Sequence, residues 1–123
     1  MNEREETMPY TLHTRMPAAQ SKAIGAAGIA IALVMSVKAP LKPIAEQVVR
    51  SAASVPANIA EGQGRSGRDR FHHWHIAYGS ARELEVHLRL LLQAGPVDRP
   101  RTEEALARLD EVRAMLWRMI HPR

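Results

Sequence analysis

Within the stretch RSGRDRFHHWH, Arg65, Arg68 and Arg70 are followed closely by His72, His73 and His75. Guanidinium groups grip phosphate and carboxylate through paired N–H donors, while imidazoles ligate metals or move protons. The stretch opens the third of four predicted helices. There the positive end of the helix dipole disfavours cations but reinforces them against an anion, so the three arginines read as a phosphate cradle. The competing reading is that Asp69 and a neighbouring carboxylate neutralise them.

Farther along the same helix, Arg68, His72, His75, Arg82 and Arg89 recur at spacings of three, four or seven residues. They form a stripe about 30 Å long at ~1.5 Å of rise per residue, which a nucleic-acid backbone can follow. Glu85 lies within helical reach of both Arg82 and Arg89, so a solvated salt-bridge ladder is the alternative. No RNA-recognition sheet motif, zinc finger or Arg-Gly tract accompanies the stripe, and base-specific reading is not expected.

His72 and His75 share a face with Asp69 one turn earlier. The His-Glu-x-x-His pattern is missing and no second ligand pair is evident, so packing or stacking is the expected role, with no metal and no other cofactor. Ser51, Ser54, Ser66 and Ser80 stand outside any Gly-x-Ser-x-Gly elbow, there is no Walker loop, and the chain has no cysteine. An enzyme is therefore not expected.

A second constellation, Ser54, Asn58, Glu61, Arg65, Ser80 and Glu83, falls on facing ends of the second and third predicted helices. Pro56 interrupts the second, and unpaired buried backbone groups cost about 1–3 kcal/mol each. These side chains are accordingly expected to form a structural polar network, a ligand site being the alternative. Arg65 with Glu61 or Glu83 is the buried pair to expect.

The positioning elements are all helical. Residues 1–17 read as a flexible leader and residues 18–123 as one domain. A first helix is predicted from Ala18 to Val37, ahead of a connection closed by Pro40 and Pro43. A second begins near Ile44 with Ile44, Val48, Ala52, Val55 and Ile59 on one face. Pro56 inside it costs about 3 kcal/mol, which predicts a kinked but continuous helix ending at Gly62 or Gly64.

Ser66, with Asp69 reaching back, is the expected cap of the third helix. Its stripe is Phe71, Trp74, Ala77, Tyr78, Ala81, Leu84, Leu88, Leu91 and Leu92, and Gly95-Pro96 stops it. Thr102 is the expected cap of the fourth, with Glu103 and Glu104 in its first turn and Leu106, Leu109, Val112, Leu116 and Ile120 as its stripe. Short links predict an all-α, up-down-up-down antiparallel four-helix bundle.

Composition agrees. Of 17 cationic Lys and Arg residues, 14 are Arg, which makes polyanions plausible partners, and with only 5 aromatic residues the core must be aliphatic. Absence of cysteine suits a reducing cytoplasm. The uncharged run Ala23 to Val37 is short of the roughly 20 residues that span a bilayer and reads as a buried helix; Lys22 ahead of it also imitates a short signal peptide. No membrane association is expected.

Gln47, Arg50, Ser54, Pro56, Asn58, Ile59, Ala60, Glu61, Gly62, Gly64 and Arg65, then Phe71, Ile76, Ala77, Gly79, Ser80, Glu83, Leu84, Glu85 and Leu88, carry a resemblance. The pattern resembles the four-helix bundle proteins encoded in intervening sequences of bacterial 23S rRNA genes. That family is related in shape to the accessory variability determinant of diversity-generating retroelements. The resemblance implies antiparallel bundles assembling into homopentameric rings with no assigned catalysis; the shape relative implies nucleic acid and a reverse transcriptase as partners. The smooth Ala- and Gly-rich first helix and the histidines of FHHWHIAYGS depart from the family pattern.

Together these readings predict a non-catalytic oligomeric bundle that binds RNA or DNA backbone through an Arg-rich surface, as an accessory to a ribonucleoprotein or reverse transcriptase. A protein-protein adaptor or scaffold without nucleic-acid binding is the alternative.

Overall fold

The computed structural model describes residues 16–123, which form four helices and no strand. They are α1 (Ala18–Val34), α2 (Lys42–Gln63), α3 (Gly67–Ala94) and α4 (Arg99–Ile120). The leader expected over residues 1–17 lies, up to position 15, outside the described residues. Each of α2 and α4 packs against both α1 and α3, so the helices enclose one core.

Cross-links give the relative directions. Arg50 meets Glu83, Ser54 meets Ser80 and Asn58 meets His73, so α2 and α3 run antiparallel. The Glu85–Arg113 and Tyr78–Trp117 contacts show the same opposition for α3 and α4.

The core follows the helical period. Val48, Ala52, Val55 and Ile59 of α2, Ala77, Ala81, Leu84, Leu88 and Leu91 of α3, and Leu109, Val112 and Leu116 of α4 are buried. Each fully buried aliphatic side chain contributes about 1.5–3 kcal/mol. From α1 come Ala19, Ala23, Ala26, Ala27, Ala30 and Val34, small side chains that let its neighbours approach closely. Among the described residues no helix is long and apolar enough to cross a membrane.

Helix ends depart from expectation where two polar groups compete. α1 ends at Val34 rather than Val37: the Val37 N–H bonds the Val34 carbonyl at 3.1 Å, and this tighter turn tucks Val37 into the core. Pro43 stands in the first turn of α2, not in the connection, because an N–H missing there has no helical partner to lose. α2 continues unbroken past Pro56 and ends at Gln63. At the far end of α3, Gly95 takes φ 102°, the left-handed conformation that suits glycine.

Ser66 flanks α3 in extended conformation but makes no side-chain cap, and Asp69 accepts from Arg65 instead. A charge-assisted bond outcompetes the hydroxyl-backbone exchange of a capping box. For α4 the cap is Asp98, which accepts from the Arg101 N–H at 2.9 Å, with Pro100 in the first turn. Thr102 therefore lies inside the helix, fully buried, with its hydroxyl donating to the Asp98 carbonyl at 2.6 Å.

At Gly62 α2 and α3 leave no room for a side chain. A Cβ placed there would sit 2.5 Å from Cδ1 and Nε1 of Trp74 and 3.0 Å from the Arg70 carbonyl oxygen. Gly62→Ala is expected to cost about 1–3 kcal/mol, as overpacking does. Gly79→Ala, on an exposed helical position with no atom within 4 Å of the new methyl, is expected to gain about 0.5–1 kcal/mol. Denaturation midpoints moving in opposite directions check the pair.

Candidate nucleic-acid interface

The polar constellation becomes a seam between α2 and α3. Ser54 Oγ and Ser80 Oγ are 2.8 Å apart. The Asn58 amide donates to the Ser54 carbonyl at 3.0 Å and to its hydroxyl at 3.1 Å. Asn58 Oδ1 faces His73 Nδ1 at 3.0 Å, an arrangement that puts the imidazole proton on Nδ1. Pro56 lacks the N–H that would bond the Ala52 carbonyl, and polar side chains flank this gap on both sides. Ser51, fully buried, donates to the Gln47 carbonyl at 2.8 Å.

Glu83 takes a partner other than Arg65. It pairs with Arg50, whose guanidinium also donates to Gln47 Oε1 at 2.6 and 3.1 Å. Arg65 donates to Glu61 and, through its other arm, to Asp69 at 2.7 Å. The expected buried pair is thus an exposed one, with side chains of Arg65 and Glu61 open to solvent by 43% and 49%. Bonds to Glu61 and then to Asp69 raise the Arg65 pKa. The bond from Arg65 holds the Asp69 carboxyl below its usual range. A depressed carboxyl stabilises the fold above its unfolded pKa, and that contribution is lost as pH falls through the folded value.

Arg70 has a different task from the one its position suggested. Its Nε donates to the Gly62 carbonyl at 3.1 Å and its Nη2 to the Gln63 carbonyl at 3.4 Å. These are last-turn carbonyls of α2, and the Gly62 carbonyl also accepts from the Arg65 N–H at 3.1 Å. The guanidinium also lies over the Trp74 ring at 5.4 Å, and the Trp74 Nε1 donates to the Ile59 carbonyl at 3.3 Å. The start of α3 is also the end of α2, where the dipole favours cations. Stability accounts for Arg70, and the three-arginine cradle does not form.

Arg68, His72, His75, Arg82 and Arg89 all emerge exposed, on the outer face of α3. Arg89 bonds Glu85 at 3.0 Å, and Glu85 is shared with Arg113 of α4 at 3.2 Å, so the salt-bridge ladder holds for Arg89 and omits Arg82. Arg68 and Arg82 have no carboxylate partner among the described residues. Arg68, Asp69, Phe71, His72 and His75 line an open surface hollow. His72 sets its ring edge toward His73 at 5.4 Å, and among the described residues no group of three or more His, Asp or Glu is arranged to hold a metal.

Sequence reasoning overlooked Arg50 as the partner of Glu83 and His73 as the partner of Asn58. The signal was present in the register: once Ser54 is opposite Ser80 in an antiparallel pair, position 50 falls near 83 and position 58 near 73.

A family model described as 23S rRNA-intervening sequence protein matches residues 35–118. No curated protein matches the chain. Among solved structures, the chain is similar to a Bacteroides thetaiotaomicron protein of unknown function from the S23 ribosomal protein family. The two align with a TM-score of 0.74 and 26% identity over 83% of this chain and 97% of that one.

Asn58→Ala is expected to destabilise the fold by about 1–3 kcal/mol, because it leaves His73 and the Ser54 groups without their partner. Arg65→Gln is expected to move the denaturation midpoint far less, since both of its ion pairs face solvent. Urea titration of the two variants separates a structural seam from a surface decoration.

Proposed function

The chain belongs to the family of 23S rRNA-intervening sequence proteins, and from its surface chemistry we propose that it is a non-catalytic accessory protein that binds the phosphate backbone of RNA or DNA. The observation that carries this reading is the pair of exposed, uncommitted guanidiniums, Arg68 and Arg82, in line with His72 and His75 on the outer face of α3. Fourteen positions apart on a helix, they span about 21 Å, or roughly six nucleotides of one strand. Arg89 extends the line although its Nε bonds Glu85, while Arg65, which has Nε and both Nη groups engaged, and Arg70, which bonds the end of α2, drop out. Contact is through charge, so sequence preference is expected to be weak.

Self-association belongs to the same proposal. Ile76, Val86 and Leu90 of α3 are 38%, 56% and 49% exposed, and Val86, four residues after Arg82 and three before Arg89, sets apolar surface within the basic face. A homo-oligomer burying part of that apolar surface, in the pentameric form the family resemblance implies, is the proposed assembly. A ribonucleoprotein or a reverse transcriptase is the proposed larger partner. These exposed apolar side chains are also what favours the second reading, an adaptor that binds protein alone.

Titrating salt against affinity for generic RNA distinguishes the two. Phosphate neutralisation gives a linear fall of log affinity with log salt, and replacing Arg68 and Arg82 together by Gln is expected to reduce the slope by about 2 without changing the thermal midpoint. Arg70→Gln is expected to lower the midpoint instead. Absence of salt-dependent binding in the unsubstituted protein supports the adaptor.

A further inference from the structure

Two segments without a carboxylate lie side by side at one end of the bundle. α3 from Arg70 to Arg82 and the chain from Val112 to Arg123 contain no Asp or Glu. The antiparallel pairing of α3 and α4 brings them together, with the rings of Tyr78 and Trp117 6.4 Å apart. Here Trp117 is 52% exposed, although it is one of only two tryptophans in a chain with few aromatic residues. The core does not use its outer surface.

The indole is held in place. The His121 ring stacks on Trp117 with centroids 3.6 Å apart and planes 30° from parallel. That imidazole is itself fixed, with Nδ1 3.0 Å from the Trp117 carbonyl oxygen, to which the His121 backbone N–H also donates at 2.9 Å. Arg82 and His75 stand exposed on α3, and Arg118 and Arg123 on the other segment, so both segments carry exposed cations. A preset aromatic platform where two adjoining segments carry exposed cations and no carboxylate of their own complements one ligand chemistry: a flat π-system carrying phosphate.

We propose that this end of the bundle binds single-stranded nucleic acid, an unpaired base stacking on the Trp117–His121 platform while Arg82 and the neighbouring cations meet the flanking phosphates. The inference rests on the nucleic-acid reading above and narrows it, because a duplex keeps its base faces inside the stack and offers the platform nothing to cover. Stacking is sequence-tolerant, since every base presents a π-face.

The test uses the full chain with short oligouridine, short oligodeoxyuridine and a mixed-sequence duplex of equal length, all at one salt concentration. Both single strands are expected to bind more tightly than the duplex and to quench tryptophan emission; a difference between them reports whether the ribose hydroxyl is also contacted. Trp117→Ala is expected to weaken single-strand binding about tenfold while leaving duplex affinity and the thermal midpoint unchanged. Trp117→Phe keeps a stacking face and is expected to retain most of the affinity but lose the quenching, since Trp74 is buried.

Duplex binding with no single-strand preference and no effect of Trp117→Ala overturns this inference and leaves the backbone reading standing. Binding of neither form removes both. A change of mass in solution upon Trp117→Ala, with affinities unaltered, assigns the indole to a contact between copies and likewise overturns the inference.

Discussion

The indole of Trp74 occupies the space into which any side chain at position 62 would project, and this close approach ties the end of α2 to the start of α3. Gly62 brings the backbone of α2 against the ring, Ile59 accepts the indole N–H, and Arg70 covers the ring while bonding the carbonyls that end α2. With that corner fixed, the rest of the seam follows by register. Asn58 meets His73, Ser54 meets Ser80 and Arg50 meets Glu83.

Hydrogen bonds in such a seam add little net stability, about 1 kcal/mol each, because both states satisfy the groups, one with protein and one with water. Their effect is on alternatives. A slip of one turn would set Ser54 against Ile76 or Leu84 in place of Ser80, and would leave Asn58 and His73 without each other. The aliphatic core drives helix association; the seam rejects wrong associations. Fixing the register also fixes which side of α3 faces outward, and so leaves Arg68, His72, His75 and Arg82 in solvent.

Elements governed by local periodicity were legible in the sequence. The stripes of α2, α3 and α4 become the core, and Gly95 ends α3 as its position before a proline suggested. Choices between adjacent candidates were less so: Asp98 followed by Arg-Pro is the better cap of α4, four residues ahead of Thr102. Partner identity was least legible because it depends on packing. Whether Glu83 takes Arg65 or Arg50 is settled by where α3 crosses α2, and Arg70 looked misplaced only while α3 was considered apart from the end of α2. Trp117 follows Leu116 by one residue, about 100° round the helix, which places it off the buried stripe. Its stacking on His121 is a tertiary fact without a comparable signal.

The α2–α3 register is tested most directly by cross-linking, and the natural lack of cysteine makes the background clean. With Ser54→Cys and Ser80→Cys introduced together, an intramolecular disulfide is expected to form readily under mild oxidation, since the native hydroxyl oxygens are 2.8 Å apart. A control pair offset by about two turns, Ser54→Cys with His87→Cys, is expected to stay reduced or to link separate chains. Efficient closure of the offset pair, or failure of the 54–80 pair in a chain that retains its helicity, would contradict the register on which the seam and the outward-facing basic surface depend.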